Sequence, residues 1–157
     1  AHILSRFFSF LEPIMTPAYQ YSATVIRWID GDSVILDIDC GFDLALKGQN
    51  VRLMGIDTSE TRGGTPDLKW LGNLAKQFCI EAAPVDSRVT IKTYLDKKGK
   101  FGRILADIYL EDNQVSINET LKLERLAVDY HGQNKKELTA QHLQCIEYQK
   151  EKRSDIS

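Results

Sequence analysis

Ala23-Thr24-Val25-Ile26-Arg27-Trp28-Ile29-Asp30-Gly31-Asp32-Ser33-Val34-Ile35-Leu36-Asp37-Ile38-Asp39 reads as two β-rich runs joined by an Asp-Gly turn. Ala23 to Ile29 is dominated by residues that suit a pleated surface, and Ser33 to Asp39 alternates, with Val34, Leu36 and Ile38 on one face. Asp30-Gly31 is the dipeptide favoured in two-residue type I′ hairpins, so the stretch is expected to fold back on itself. Asp32 has the parity of Val34 and Leu36, which delivers a carboxylate to the apolar side at the start of the second strand. A carboxylate there needs a partner.

Working outward, a loop containing Gly41, Lys47-Gly48 and Asn50 leads to a third strand, Val51 to Ile56, which ends in Asp57-Thr58-Ser59-Glu60. Gly63-Gly64 breaks the chain, Thr65 can cap and Pro66 suits the first helical position. Leu71, Leu74, Ala75, Phe78 and Ala82 then recur at helical spacing over about four turns. Arg88 to Leu95 and Ile104 to Leu110 alternate as a fourth and a fifth strand, separated by the basic loop Asp96 to Gly102. Ser116 with Glu119 forms a capping box opening a second helix to about Arg125, and Asn134 with Glu137 opens a third that runs toward Lys152. The order β-β-β-α-β-β-α-α predicts an α+β, mainly β, fold: a five-stranded OB-type barrel flanked by three α-helices.

The chain has 157 residues, 43% hydrophobic and 27% charged, enough for one domain with a core. No apolar run approaches the roughly 20 residues that span a bilayer. Arg6 precedes Phe7, Phe8, Phe10 and Leu11, but Glu12-Pro13 interrupts the run, so it is not read as an export signal. Residues 1–20 are expected to be an N-terminal arm or extension and residues 21–157 the domain, a monomer unless the arm contacts a second subunit. Cys40, Cys79 and Cys145 form neither CxxC nor a zinc-type cluster and read as small buried hydrophobes, which favours a reducing, cytoplasmic setting over export after loss of a leader.

The formal charge of -2 on its face argues against a protein that holds nucleic acid by bulk positive charge. Its distribution says otherwise. Asp30 to Glu60 carries seven acids (Asp30, Asp32, Asp37, Asp39, Asp43, Asp57, Glu60) against Lys47 and Arg52, whereas Arg88 to Arg103 carries six bases against Asp96. An acidic cluster suited to a hard divalent cation beside a basic loop suited to phosphate is what metal-assisted phosphoryl chemistry requires.

Singly, these elements are common in turns and solvated loops. In their order, Trp28-Ile29-Asp30-Gly31-Asp32-Ser33-Val34, then Val51 to Glu60, then Lys100-Phe101-Gly102-Arg103-Ile104-Leu105-Ala106, the chain closely resembles the staphylococcal nuclease (thermonuclease) family. The resemblance runs from about Ala23 into the third helix. It implies an OB barrel with three helices and a calcium-dependent nuclease that hydrolyses DNA and/or RNA phosphodiesters, with water attacking phosphorus and products ending in 3′-phosphate. It further implies that Asp32, Asp57 and the carbonyl of Thr58 ligate Ca2+, that Glu60 deprotonates or orients the water, and that Arg52 and Arg103 hold the phosphate. Lys100 has a family counterpart near the nucleotide's terminal phosphate. Lys97 and Lys98 are either phosphate contacts or solvated loop lysines. Tyr130 stands near an aromatic that packs on the nucleotide, or else in the core; His131 and His142 read as structural or solvated.

The chain also departs from the family. Phe101 replaces a common tyrosine, Gly99 an acid and Ser59 a proline, which would weaken nucleotide contacts and loosen the turn between the metal ligand and Glu60. Arg125 replaces the glycine ending the second helix, implying either an end without a left-handed residue or strain of about 1 kcal/mol. Family members that only bind have typically lost the catalytic acids or arginines. This chain keeps them, which favours cleavage over the alternative of a non-cleaving OB-fold nucleic-acid-binding module.

Overall fold

A computed structural model of the chain describes residues 19–94, 103–111 and 113–156. Five strands close a barrel: β1 (Tyr19–Asp30), β2 (Ser33–Gly41), β3 (Leu44–Leu53), β5 (Arg88–Tyr94) and β6 (Arg103–Leu110), in the spatial order β1-β2-β3-β6-β5. All neighbours are antiparallel except β3 and β6, whose parallel pairing is reached by a crossover through α1 (Pro66–Ala82) and β5. A two-stranded ribbon of β4 (Ile56–Asp57) and β7 (Val128–Asp129) lies outside the barrel, with α2 (Ile117–Leu123) and α3 (Lys135–Ser154). Among the described residues this is the mainly β barrel with three helices that the strand and helix order predicts.

Alternation along the strands fills the barrel: Val25, Val34, Leu36, Val51, Ile91 and Ile108 are fully buried, each removing roughly 1.5–3 kcal/mol of apolar cost from water. Leu71, Ala75 and Cys79, one turn apart on α1, close one end. Burial pushes the Cys79 thiol up to about 12, with a further push from the charge of Asp32, so it behaves as a small hydrophobe. All three helices start where their caps predict, with Thr65, Ser116 and Asn134 each accepting the amide three residues on.

Several boundaries differ from expectation. β3 begins at Leu44 rather than Val51, because Phe42 and Asp43 both take left-handed φ (54° and 58°) and make the two-residue turn themselves. Its outer half, Leu44 to Gly48, is exposed and so lacks the alternation that reveals a buried strand. It also ends early: Gly55, at φ 76°, turns the chain after Met54, so that Ile56–Asp57 forms β4 against β7, a pair not foreseen. β1 starts at Tyr19, pairing with Thr93, two residues inside the stretch read as an arm.

The β1–β2 turn is not type I′. Its central residues are Gly31 and Asp32, and neither has positive φ. Gly31 is needed for proximity: a Cβ there would lie 2.8 Å from that of Ala75 and 3.0 Å from Thr58 Cγ2. Arg125 does take the strained alternative, φ 57°, within a Schellman-type end in which Leu126 and Arg125 donate to the carbonyls of Leu121 and Lys122. Gln149 Nε2 donates to the carbonyls of Glu124 and Arg125, completing that end.

Candidate active site

Asp32 is the second residue of the β1–β2 turn, 6% exposed. Its Oδ2 accepts from Arg52 Nη1 at 3.2 Å and from the Thr58 amide at 3.1 Å. Arg52 projects from the end of β3, and its other nitrogen, Nη2, donates to Asp57 Oδ1 at 3.2 Å and to the carbonyl of Ile56. One guanidinium therefore spans both carboxylates, one in the β1–β2 turn 20 residues away and one in β4 five residues away. The partner required by the parity of Asp32 is Arg52.

Register explains the second arginine. Asn50 pairs with Arg103 and Arg52 with Leu105 across the parallel β3–β6 ladder, so Arg52 and Arg103 share a face, diagonally offset. Both line one cleft of about 560 Å³ together with Asp57, Glu60, Tyr130 and His131. Arg103 makes no ion pair among the described residues. The Tyr130 ring lies 5.4 Å from Arg52 Cζ and is 41% exposed, so it lines the cleft rather than the core. Lys97, Lys98, Lys100 and Phe101, as well as Gly99, lie outside the described residues.

The Asp57–Glu60 segment is pressed between packed elements. Ser59 is buried and its hydroxyl donates to the Leu68 carbonyl of α1 at 2.7 Å, a tether standing in for the restraint that a proline ring would supply, so this turn is not left loose. Gly72 of α1 meets the same segment backbone to backbone: a Cβ would lie 2.5 Å from the Ser59 carbonyl oxygen and 2.7 Å from that of Glu60. Gly72→Ala would gain up to about 1 kcal/mol in helix propensity. The clash with carbonyls that cannot rotate away costs more, roughly 1–3 kcal/mol and toward the upper end here. Denaturant titration is expected to show a net loss of about 2 kcal/mol, accompanied by lower activity because Glu60 is displaced; a stabilised variant would refute the contact.

His142 takes the structural of its two readings, with a partner that pattern alone does not name. It is 4% exposed on the inner face of α3, and its Nε2 lies 2.8 Å from Asp57 Oδ2. A carboxylate only accepts, so Nε2 carries the proton, and Asp57 is held on one oxygen by Arg52 and on the other by His142. The available signal was position: His142 shares the helical face of Leu138, Cys145, Ile146 and Gln149, where a polar group must find a partner.

Burial is the largest influence on Asp32 and pushes its carboxyl above the usual carboxylate range. Arg52 and the Thr58 amide pull it back, while Asp57 and Asp30 add to the rise. A bound cation would relieve that cost. The donors fit a hard one: two carboxylates converge on one guanidinium, and Thr58 Oγ1 is buried with no partner among the described residues. Among the described residues no three carboxylate, histidine or cysteine groups form a cage, so carbonyl oxygen and water would complete the coordination.

A small closed barrel with an acid-and-arginine cleft at one end is an arrangement suited to phosphodiester chemistry. The family model described as staphylococcal nuclease homologue matches residues 50–156. The thermonuclease of Staphylococcus hyicus is 32% identical over 113 residues, covering 72% of this chain and 62% of that protein. The thermonuclease of Staphylococcus intermedius is 34% identical over 96 residues, covering 61% of this chain and 53% of that protein. The chain belongs to the staphylococcal nuclease family, and it spans less than two thirds of the length of either relative. Asp32 precedes the matched segment and is joined to it through Arg52. No helix among the described residues is long and apolar enough to cross a membrane.

Proposed function

We propose that the chain is a calcium-dependent nuclease that hydrolyses phosphodiester bonds of DNA and/or RNA by attack of water on phosphorus, leaving 3′-phosphate ends. The observation that carries this is the single guanidinium of Arg52 bound to both Asp32 and Asp57, in a cleft shared with Glu60 and Arg103. Asp32, Asp57 and the Thr58 carbonyl would hold calcium, which when bound polarises the phosphate and offsets the acids that would otherwise repel it. Glu60, exposed at the edge of the cleft, takes or orients the proton of the attacking water. Arg103, free of acidic partners among the described residues, offers its planar fork to the phosphoryl oxygens as charge accumulates there. Arg52 presents its remaining donor capacity and keeps the ligands in register, with Tyr130 flanking it as a surface for the nucleotide. Three free cysteines support a reducing, cytoplasmic setting.

The test is incubation with single- and double-stranded DNA and RNA, with calcium or with chelator, followed by end-group analysis. Cleavage that needs calcium and leaves 3′-phosphates is expected; 5′-phosphate products, or binding without cleavage, would overturn the proposal.

Asp32 adds a pH dependence. The folded chain takes up its proton at higher pH than the unfolded chain does, so in the calcium-free protein its contribution to stability grows as pH falls through the window above the ordinary carboxylate range and is lost as pH rises. Calcium competes with that proton. Calorimetric titration is expected to show calcium affinity weakening as pH is lowered through the same window, and a flat profile would count against Asp32 as a ligand.

A further inference from the structure

A second cleft, of about 360 Å³, opens on the far side of Glu60. Arg27 of β1, Arg62 of the loop after Glu60 and Lys76 of α1 converge on it from three separate elements. None of the three has an ion-pair or hydrogen-bond partner for its side chain among the described residues, although Lys76 is half-buried. The acids lining the cleft are Asp30, whose carboxylate accepts from Thr61 Oγ1 at 2.7 Å, and Glu60 itself.

Arg27 is there because of a backbone irregularity. Val25 points into the core, and in a regular strand Arg27, two residues on, would do the same. The register shifts between Val25 and Arg27, which turns Arg27 outward and sends Trp28 inward instead. The Trp28 indole is buried and donates to the Ala83 carbonyl at 2.9 Å, so it offers no stacking face. Among its described lining residues the cleft thus presents three cations beside Asp30 and Glu60, and no open aromatic surface.

We propose that this cleft is a second phosphate groove, which carries a nucleic-acid strand onward from the active-site cleft across Glu60 and grips its backbone without reading its bases. The proposal rests on the nuclease function above, since Glu60 belongs to both clefts and marks where the strand passes from one to the other. Partnerless cations from three elements are what a backbone track needs, and the lack of an open ring removes the usual means of base stacking.

The test compares the 157-residue protein with the variant R27Q/R62Q/K76Q. A control, K47Q, removes a surface lysine paired with Asp37 on the β2–β3 hairpin. Binding of labelled oligothymidylate is followed by fluorescence anisotropy in chelator, where cleavage is not required. The triple variant is expected to bind roughly tenfold or more weakly, and its log affinity should depend less steeply on log salt, by about 2, at about 0.7 per lost contact on a single strand. Oligodeoxyadenylate should lose as much as oligothymidylate, and the control should bind like the parent. In calcium, kcat/KM should fall for the oligonucleotide and hold for a nitrophenyl diester of a single nucleotide. Unchanged affinity and salt slope would overturn the groove, as would a loss confined to one base or an equal loss on both substrates. If the parent cleaves neither substrate, the nuclease function fails while the anisotropy result still decides the groove.

Discussion

Lysine in place of Arg103 or Arg52 is expected to lower turnover on single-stranded DNA by roughly 10²–10³-fold, the cost of losing a preorganised donor at developing charge. Lysine keeps the charge but not the planar fork that can bind two phosphate oxygens at once. The two variants should differ in stability. Arg103 has no acidic partner among the described residues, so Arg103→Lys should unfold like the parent. Arg52 bridges Asp32 and Asp57 at 3.2 Å each, a span a single ammonium cannot reproduce, so Arg52→Lys should also weaken calcium binding and lose some stability. Thermal melts beside kcat measurements on both variants separate these effects. Near-parental turnover in both would remove the arginines from the mechanism.

Asn118→Ala is expected to be the most destabilising single truncation outside the apolar core. Asn118 is 2% exposed at the second position of α2. Its Oδ1 accepts the Ile108 amide at 3.1 Å, and its Nδ2 donates to the carbonyls of Met54 at 2.9 Å and Ala106 at 3.1 Å. Alanine would strand the Ile108 amide and the Met54 carbonyl, whereas the Ala106 carbonyl keeps the Met54 amide at 2.9 Å; the cost is about 1–3 kcal/mol for each group left buried without a partner. A total loss of about 3–5 kcal/mol follows, a large share of the 5–15 kcal/mol that a domain possesses. Because Met54 leads into the turn before Asp57, the surviving folded fraction should also bind calcium less tightly. Chemical denaturation showing a loss below about 1 kcal/mol would mean that water replaces the amide.

What could be read locally was read from short intervals. Period-two alternation in Ser33 to Asp39 and the caps at Thr65, Ser116 and Asn134 each depend on neighbours within a turn or a pleat, and the structure has them. The exposed half of β3 escaped because a strand open to water leaves no alternation, and the β4–β7 ribbon because two residues are too few to show a period. Gly31 sits where Asp-Gly suggests a type I′ turn, but its role is to admit Ala75, a neighbour 44 residues away in the chain.

By itself the sequence determined the barrel's strands, the helix starts, and the residue types of the site in their order along the chain. Only the tertiary structure decided which of them meet: Arg52 between two carboxylates, His142 on Asp57 across 85 residues, and Arg27 turned outward beside Arg62 and Lys76. The physical reason is range. Propensity and capping act over a few residues, whereas the closing of β3 against β6 and the seating of α1 and α3 bring distant side chains together through packing that no short interval encodes.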